Sequence, residues 1–188
     1  MVLAAGRGTR AGGPKALLHA GASLTPWWRV QAQRLTEIGV RPVWVVSGAV
    51  ASEIGRYKDA PKHLVLSDAD APMFSSVLAG FRAVALSNSA GIFVLPVDTP
   101  APAAKVWKAL AGSSTPCVPE HKGKRGHPVF LPVQWVQRTL DSIHSAGIEP
   151  TELRLDTLIA ATAVTVAVGD PAVCLNLNSA AAFLAYTP

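Results

Sequence analysis

LAAGRGTRAGGPKALL, Leu3–Leu18, runs from a short apolar strand straight into a loop carrying Gly6, Gly8, Gly12 and Gly13. Glycine lets backbone N–H groups come close to an anion, and successive N–H groups form a nest for phosphate oxygens. Arg7, Arg10 and Lys15 punctuate the loop. Against a triphosphate they offer bidentate guanidinium contacts and a point charge. A lone Gly-x-Gly is a common turn, whereas a strand, then Gly-x-Gly-x-Arg, then Pro-Lys is a far more specific order. Two familiar phosphate loops do not fit it. A Walker loop needs Ser or Thr after Gly-Lys, but Ala16 follows Lys15. A dinucleotide fingerprint needs an uninterrupted helix start and an acidic residue about 20 positions on. Here Pro14 interrupts, and no carboxylate appears before Glu37.

Beyond this loop, apolar β-branched runs alternate with amphipathic stretches. Thr25-Pro26 reads as a capping hydroxyl with Pro at the first helical position, opening a helix over Trp27–Ile38 that stops at Gly39. Val43–Ser47, His63–Ser67 and Gly91–Leu95 read as strands, with helices at Val50–Tyr57, Phe74–Leu86 and Ala101–Leu110 between and after them. Pro116–Pro119 and Pro128–Leu131 look like strands flanking a basic turn, His121–Gly126. Helices follow at Val133–Ser145 and Thr151–Ala161, strand-like runs at Val164–Val168 and Val173–Leu175, and a last helix at Ala180–Tyr186. Strands alternating with helices imply right-handed βαβ units, hence an α/β, three-layer, Rossmann-like fold. The sheet is expected to be mixed and mostly parallel, with helices on both faces, one strand running against the rest, and one domain over residues 1–188. Ligands of such sheets bind at the carboxyl ends of the strands.

Composition bounds the function. Of the 188 residues 49% are apolar and 15% charged, enough to fill a core and too apolar for a disordered chain. No apolar run approaches the roughly 20 residues of a membrane span, and MVLAAGRG lacks a signal peptide's basic start and long apolar stretch. A cytoplasmic protein without membrane contact is expected. The net charge of +5 suits an anionic ligand, but the basic residues are scattered rather than gathered into a nucleic-acid tract. Cys117 and Cys174 fit no metal spacing and read as reduced packing residues. Nothing sets the oligomeric state beyond a monomer or weak homodimer.

A second motif is IFVLPVDTP, Ile92–Pro100, where a buried strand delivers the single carboxylate Asp98 into a Pro-bounded loop. Phosphoryl transfer gathers negative charge that a hard cation relieves, and Mg²⁺ takes only one or two protein oxygens. Read alone, Asp98 serves equally as a turn initiator. Near the end, VCLNLNSAAAFLAY brings Asn176 and Asn178 to the close of an apolar run. By itself Asn178 reads equally as a helix N-cap.

Together these segments resemble the nucleotidyltransferase superfamily with the LAAGxGTRxxxPK signature, and specifically its molybdenum-cofactor cytidylyltransferase-like branch (MobA-like NTP transferases). The resemblance implies a nucleotide-diphospho-sugar transferase-like fold and transfer of a nucleoside monophosphate from an NTP to a phosphorylated small molecule. By it, Arg7, Arg10 and Lys15 hold the phosphates, while Leu3, Ala4, Ala5, Gly6 and Gly8 border the nucleotide. Asp98 and Asn178 match the pair that binds Mg²⁺. The family's closing Thr-Pro and acidic pair are here Ser179-Ala180 and Ala181-Ala182. That erosion is the feature favouring a non-catalytic nucleotide-binding protein of the same fold. APMFSSVLAGF, Ala71–Phe81, resembles a Ser-rich helix start facing the nucleotide, with Ser75 and Ser76 also serving as ordinary caps. GKRGHPVFL, Gly123–Leu131, resembles a segment whose Lys124, Arg125 and His127 face the acceptor, although a solvated basic hairpin explains its lysines as well. Ala5 and Pro14 look like the cytidylyl branch, so CTP is the expected donor. Molybdopterin, a sugar phosphate or methylerythritol phosphate stay open as acceptors.

Overall fold

A computed structural model describes residues 1–84, 89–149, 151 and 153–187. Its strands are β1 (Val2–Ala4), β2 (His19–Ala20), β3 (Thr25–Pro26), β4 (Trp44–Val46), β5 (Leu64–Leu66), β6 (Gly91–Pro96), β7 (Cys117–His121), β8 (Lys124–Arg125), β9 (Val129–Pro132) and β10 (Val164–Ala167). Its α-helices are α1 (Trp27–Glu37), α2 (Gly48–Ile54), α3 (Met73–Ala83), α4 (Ala104–Leu110), α5 (Val133–Ala146), α6 (Leu155–Ile159) and α7 (Ala180–Ala185). The main sheet has the order β10-β7-β9-β6-β1-β4-β5, with β8 paired to β7, while β2 and β3 form a separate ribbon. β1 lies parallel between β4 and β6, and β4 is parallel to β5. β9 runs antiparallel to both β6 and β7, as the basic hairpin led one to expect.

Strands buried on both faces read as continuous apolar runs, and their side chains alternate between two cores. Val2, Ala4, Trp44, Val46 and Leu95 point to a core with Trp27, Trp28 and Leu35 of α1, Val50 and Ile54 of α2 and Phe183 of α7. Leu3, Val45, Ile92 and Val94 point the other way, to Phe74, Val77 and Phe81 of α3, Val136 of α5 and Leu155 of α6. These are the three layers. Among the described residues no helix is long and apolar enough to cross a membrane.

Several boundaries differ from expectation for local reasons. Thr25-Pro26 does not cap α1; it pairs with His19–Ala20, and the Thr25 and Ser23 hydroxyls hydrogen-bond each other. Helix α2 begins earlier than expected because the Ser47 hydroxyl accepts from Val50 N–H. Helix α4 starts only at Ala104, after Pro102 has biased the preceding backbone towards extended conformations. Val173–Leu175 is not a strand. Asp170 caps Ala172 N–H and Pro171 opens a 3-10 turn over Pro171–Cys174. Helix α3 ends at Ala83, and the expected end at Leu86 lies outside the described residues. The helix expected over Thr151–Ala161 is present as Leu155–Ile159, with Glu152 outside the described residues.

Candidate active site

The loop after β1 folds back on itself. Gly8 has φ 60°, and a β-carbon there would lie 2.0 Å from Gly13 O. Ala11 and Gly13 N–H donate to Gly8 O at 2.8 and 3.2 Å, so these two groups close the loop instead of facing a ligand. Thus folded, the loop walls a cleft of about 380 Å³ at the carboxyl ends of β1 and β6. Leu3, Ala4, Ala5, Gly6, Gly8, Arg10 and Lys15 border it, as do Ser76, Asp98 and Asn178.

At the floor, Lys15 Nζ donates to Asp98 Oδ2 at 2.7 Å and to Asn178 Oδ1 at 2.8 Å. Residues 83 and 163 positions away thus meet on one ammonium. The Lys15 and Asp98 side chains are only 19% and 21% exposed, so water screens their attraction less than at an open surface. The backbone enforces the meeting, because Leu177 N–H donates to Asp98 O at 2.9 Å. The Thr99 hydroxyl also reaches Asn176 Oδ1 at 3.4 Å. The cap of α7 is Ser179, whose hydroxyl accepts from Ala182 N–H, so Asn178 is not the N-cap and its amide oxygen faces the cleft. Two oxygens converging on a cation suit a hard metal that leaves its other positions to phosphates and water. Among the described residues no group of three or more His, Cys, Asp or Glu forms a fuller cage.

Other expected residues stand differently. Arg7 points away from this cleft into an adjoining depression and forms an ion pair with Asp70, its side chain 62% exposed. Ser76 is buried and borders the cleft, its hydroxyl 2.9 Å from that of Ser67, while Ser75 does not line it. Lys124 and Arg125 stand exposed on β8, outside the cleft. His127 is closer to the centre. Pairing of Val94 with Val129 brings the start of β9 beside the end of β6. Burial holds the His127 imidazole below its ordinary pKa, while the Asp98 carboxylate pulls the other way. Its Nδ1 has no hydrogen-bond partner among the described residues. Gly126 permits this approach, since a β-carbon there would meet Val173 O at 2.0 Å.

Two features escaped the sequence reading. Asp68 borders both the cleft and the depression beside it. It lies two residues after the end of β5, so the rule that ligands gather at strand ends could have found it. Behind the cleft, α1 grips the Asp98 loop through Trp27, Gln31 and Arg34. The one available signal was a polar Gln31 among the apolar positions Trp27, Trp28, Val30 and Leu35 of α1.

A family model for the MobA-like NTP transferase domain matches residues 1–165. A search among curated proteins finds no match. Among solved structures, a nucleotidyl transferase from Methanothermobacter thermautotroptrophicus superposes with a TM-score of 0.66 at 20% identity, covering 97% of this chain and 92% of that one. The bifunctional IspDF from Campylobacter jejuni gives 0.68 at 16%, covering 95% of this chain, which spans only 51% of that larger protein. A Mycobacterium tuberculosis protein in complex with manganese gives 0.59 at 17%, with 94% and 89% covered. These likenesses concern the fold. The family match covers most of the chain, and on it the protein belongs to the MobA-like NTP transferase domain family and is a nucleotidyltransferase.

Proposed function

We propose that the protein transfers CMP from CTP, with Mg²⁺, to the phosphate of a phosphorylated small molecule such as molybdopterin, releasing pyrophosphate. The observation that carries this reading is the meeting of Asp98 and Asn178 on Lys15 inside the cleft walled by the phosphate loop. A position that holds an ammonium between a carboxylate and an amide oxygen also suits a divalent cation. Bound there, Mg²⁺ would neutralise charge on the reacting phosphates.

The residues supply the rest. Arg10 and Lys15 bind the β- and γ-phosphates and offset the charge that passes to the leaving pyrophosphate. Leu3, Ala4, Ala5 and Gly6 border the base and ribose, and Ser76 lines the same cleft. His127, Lys124 and Arg125 lie on the acceptor side, where the two cations draw in a phosphate and the neutral imidazole can hydrogen-bond it. An acceptor phosphate is already ionised near neutral pH, so in-line attack on the α-phosphorus needs no general base. Positioning and charge stabilisation then account for the rate. The cytidylyl preference rests on Ala5, which is 5% exposed at the cleft wall and whose methyl narrows the space beside the backbone for a larger purine.

Titrating CTP and GTP side by side with Mg²⁺ tests the base. CTP is expected to bind about ten- to a hundredfold more tightly, the equivalent of one or two buried polar groups left unpaired by the wrong base. Tighter GTP binding would overturn the cytidylyl assignment, and binding of neither would overturn the nucleotide reading.

A further inference from the structure

We infer that Gln31, buried behind the cleft, is a positioning residue that sets the register of the Asp98 loop and thereby aims the Asp98–Asn178 pair; this rests on the transferase reading above. The loop from Val97 to Ala101 follows Pro96 and contains Pro100, so it cannot make a full set of ladder hydrogen bonds. Its backbone polar groups are nonetheless buried beside Thr99, which is 0% exposed. One stripe of α1, at spacings of four and three residues, meets them. The Trp27 indole N–H donates to Val97 O. Arg34 donates twice to Ala101 O, at 3.1 and 3.0 Å. Gln31 stands between them and is itself 0% exposed.

Its carboxamide is used on both sides. Nε2 donates to Thr99 O at 2.7 Å and to Val97 O at 3.3 Å, the two carbonyls flanking Asp98 in sequence. Oε1 accepts from Ala101 N–H at 2.8 Å. From the opposite side, Leu177 N–H reaches Asp98 O. The carbonyls of residues 97 and 99 therefore turn to α1 while that of residue 98 turns to the Asn176–Asn178 segment. Trp27 and Arg34 each meet one end of the loop; Gln31 spans it and fixes how far residue 98 advances relative to Asn178. A buried amide against an apolar core is costly unless its polar atoms are paired, and both Nε2 and Oε1 of Gln31 are.

Gln31→Met keeps the side chain's length and removes its hydrogen bonds. Mn²⁺ binding to the nucleotide-free protein, followed by the electron spin resonance of the free ion, is expected to weaken about ten- to a hundredfold, the scale of losing a group that orients a metal ligand. CTP affinity measured in chelator is expected to stay within about threefold, because the phosphate loop keeps its own contacts. General destabilisation would not separate the two. Gln31→Glu gives a second readout and carries the test if Gln31→Met does not fold. A protonated carboxyl can donate to Thr99 O and accept from Ala101 N–H, whereas a carboxylate can only accept. Relative to wild type at each pH, the Mn²⁺ affinity of Gln31→Glu should recover as pH falls. Wild-type Mn²⁺ affinity in folded Gln31→Met, or a flat pH ratio in Gln31→Glu, would overturn the inference while leaving the transferase reading intact. Wild-type protein that bound neither Mn²⁺ nor CTP would overturn both.

Discussion

Replacing Lys15 with methionine removes the ammonium that now joins Asp98 to Asn178, and its effect on metal and nucleotide should have opposite signs. In wild-type protein without nucleotide, a divalent cation must displace Lys15 from two hydrogen bonds of 2.7 and 2.8 Å, one of them to a carboxylate. A hydrogen bond to a charged group is worth about 1.5–3 kcal/mol net, and the pair is only about one-fifth exposed, so little is lost to screening. Relief of that competition corresponds to a roughly ten- to hundredfold gain in nucleotide-free Mn²⁺ affinity for Lys15→Met. On the proposed function the same variant also loses a cation for the β- and γ-phosphates, so its CTP affinity should fall while CMP affinity changes less. Electron spin resonance of free Mn²⁺ reads the first effect, and calorimetric titration of CTP and CMP reads the second. Unchanged or weaker Mn²⁺ binding by Lys15→Met would show that Lys15 does not occupy the cation position. Equal losses for CTP and CMP would remove it from the outer phosphates.

Asp98→Ala should abolish transfer, measured as pyrophosphate release, and still fold cooperatively, because a cleft carboxylate contributes little packing; near wild-type turnover at saturating Mg²⁺ would refute its role. Gly8→Ala forces a β-carbon toward Gly13 O in a left-handed backbone, a conformation that alone costs about 1–2 kcal/mol. Its thermal midpoint and CTP affinity should both fall, and an unchanged pair would show that the loop does not need its fold-back. His127 is held below the ordinary imidazole pKa by burial, so below about pH 6.5 the unfolded chain takes up its proton first. Its contribution is therefore intact above that pH and declines as pH falls towards the folded value. Chemical denaturation across this window should show a slope that His127→Asn flattens.

The sheet and the cleft were legible for a common reason: parallel strands buried on both faces leave continuous apolar runs, and Leu3–Ala5 and Ile92–Val97 end in unusual polar loops. The meeting of Asp98 with Asn178 was legible only by resemblance, since 80 residues separate them and no local pattern encodes the Leu177 N–H to Asp98 O bond. What escaped was decided by tertiary contact or by one competing local bond. Val173–Leu175 has strand composition, but Asp170 and Pro171 turn the chain into a 3-10 segment that carries Val173 O against Gly126. Arg7 looked equivalent to Arg10 until Asp70, on the loop after β5, drew it aside. Gln31 bonds to groups 66 to 70 residues distant, and one polar residue among the apolar positions of a helix announces a partner without naming it.

The central claim is nucleotidyl transfer, and the most direct measurement follows the α-phosphate itself. The protein is incubated with Mg²⁺, CTP labelled at the α-phosphorus, and a panel of phosphorylated pterins, sugars and polyols. The account predicts that label moves onto one acceptor as pyrophosphate appears in equal amount, and that neither occurs with Asp98→Ala. No label transfer and no pyrophosphate with any acceptor, from CTP or the other nucleoside triphosphates, in protein that binds Mg²⁺ and nucleotide would contradict it.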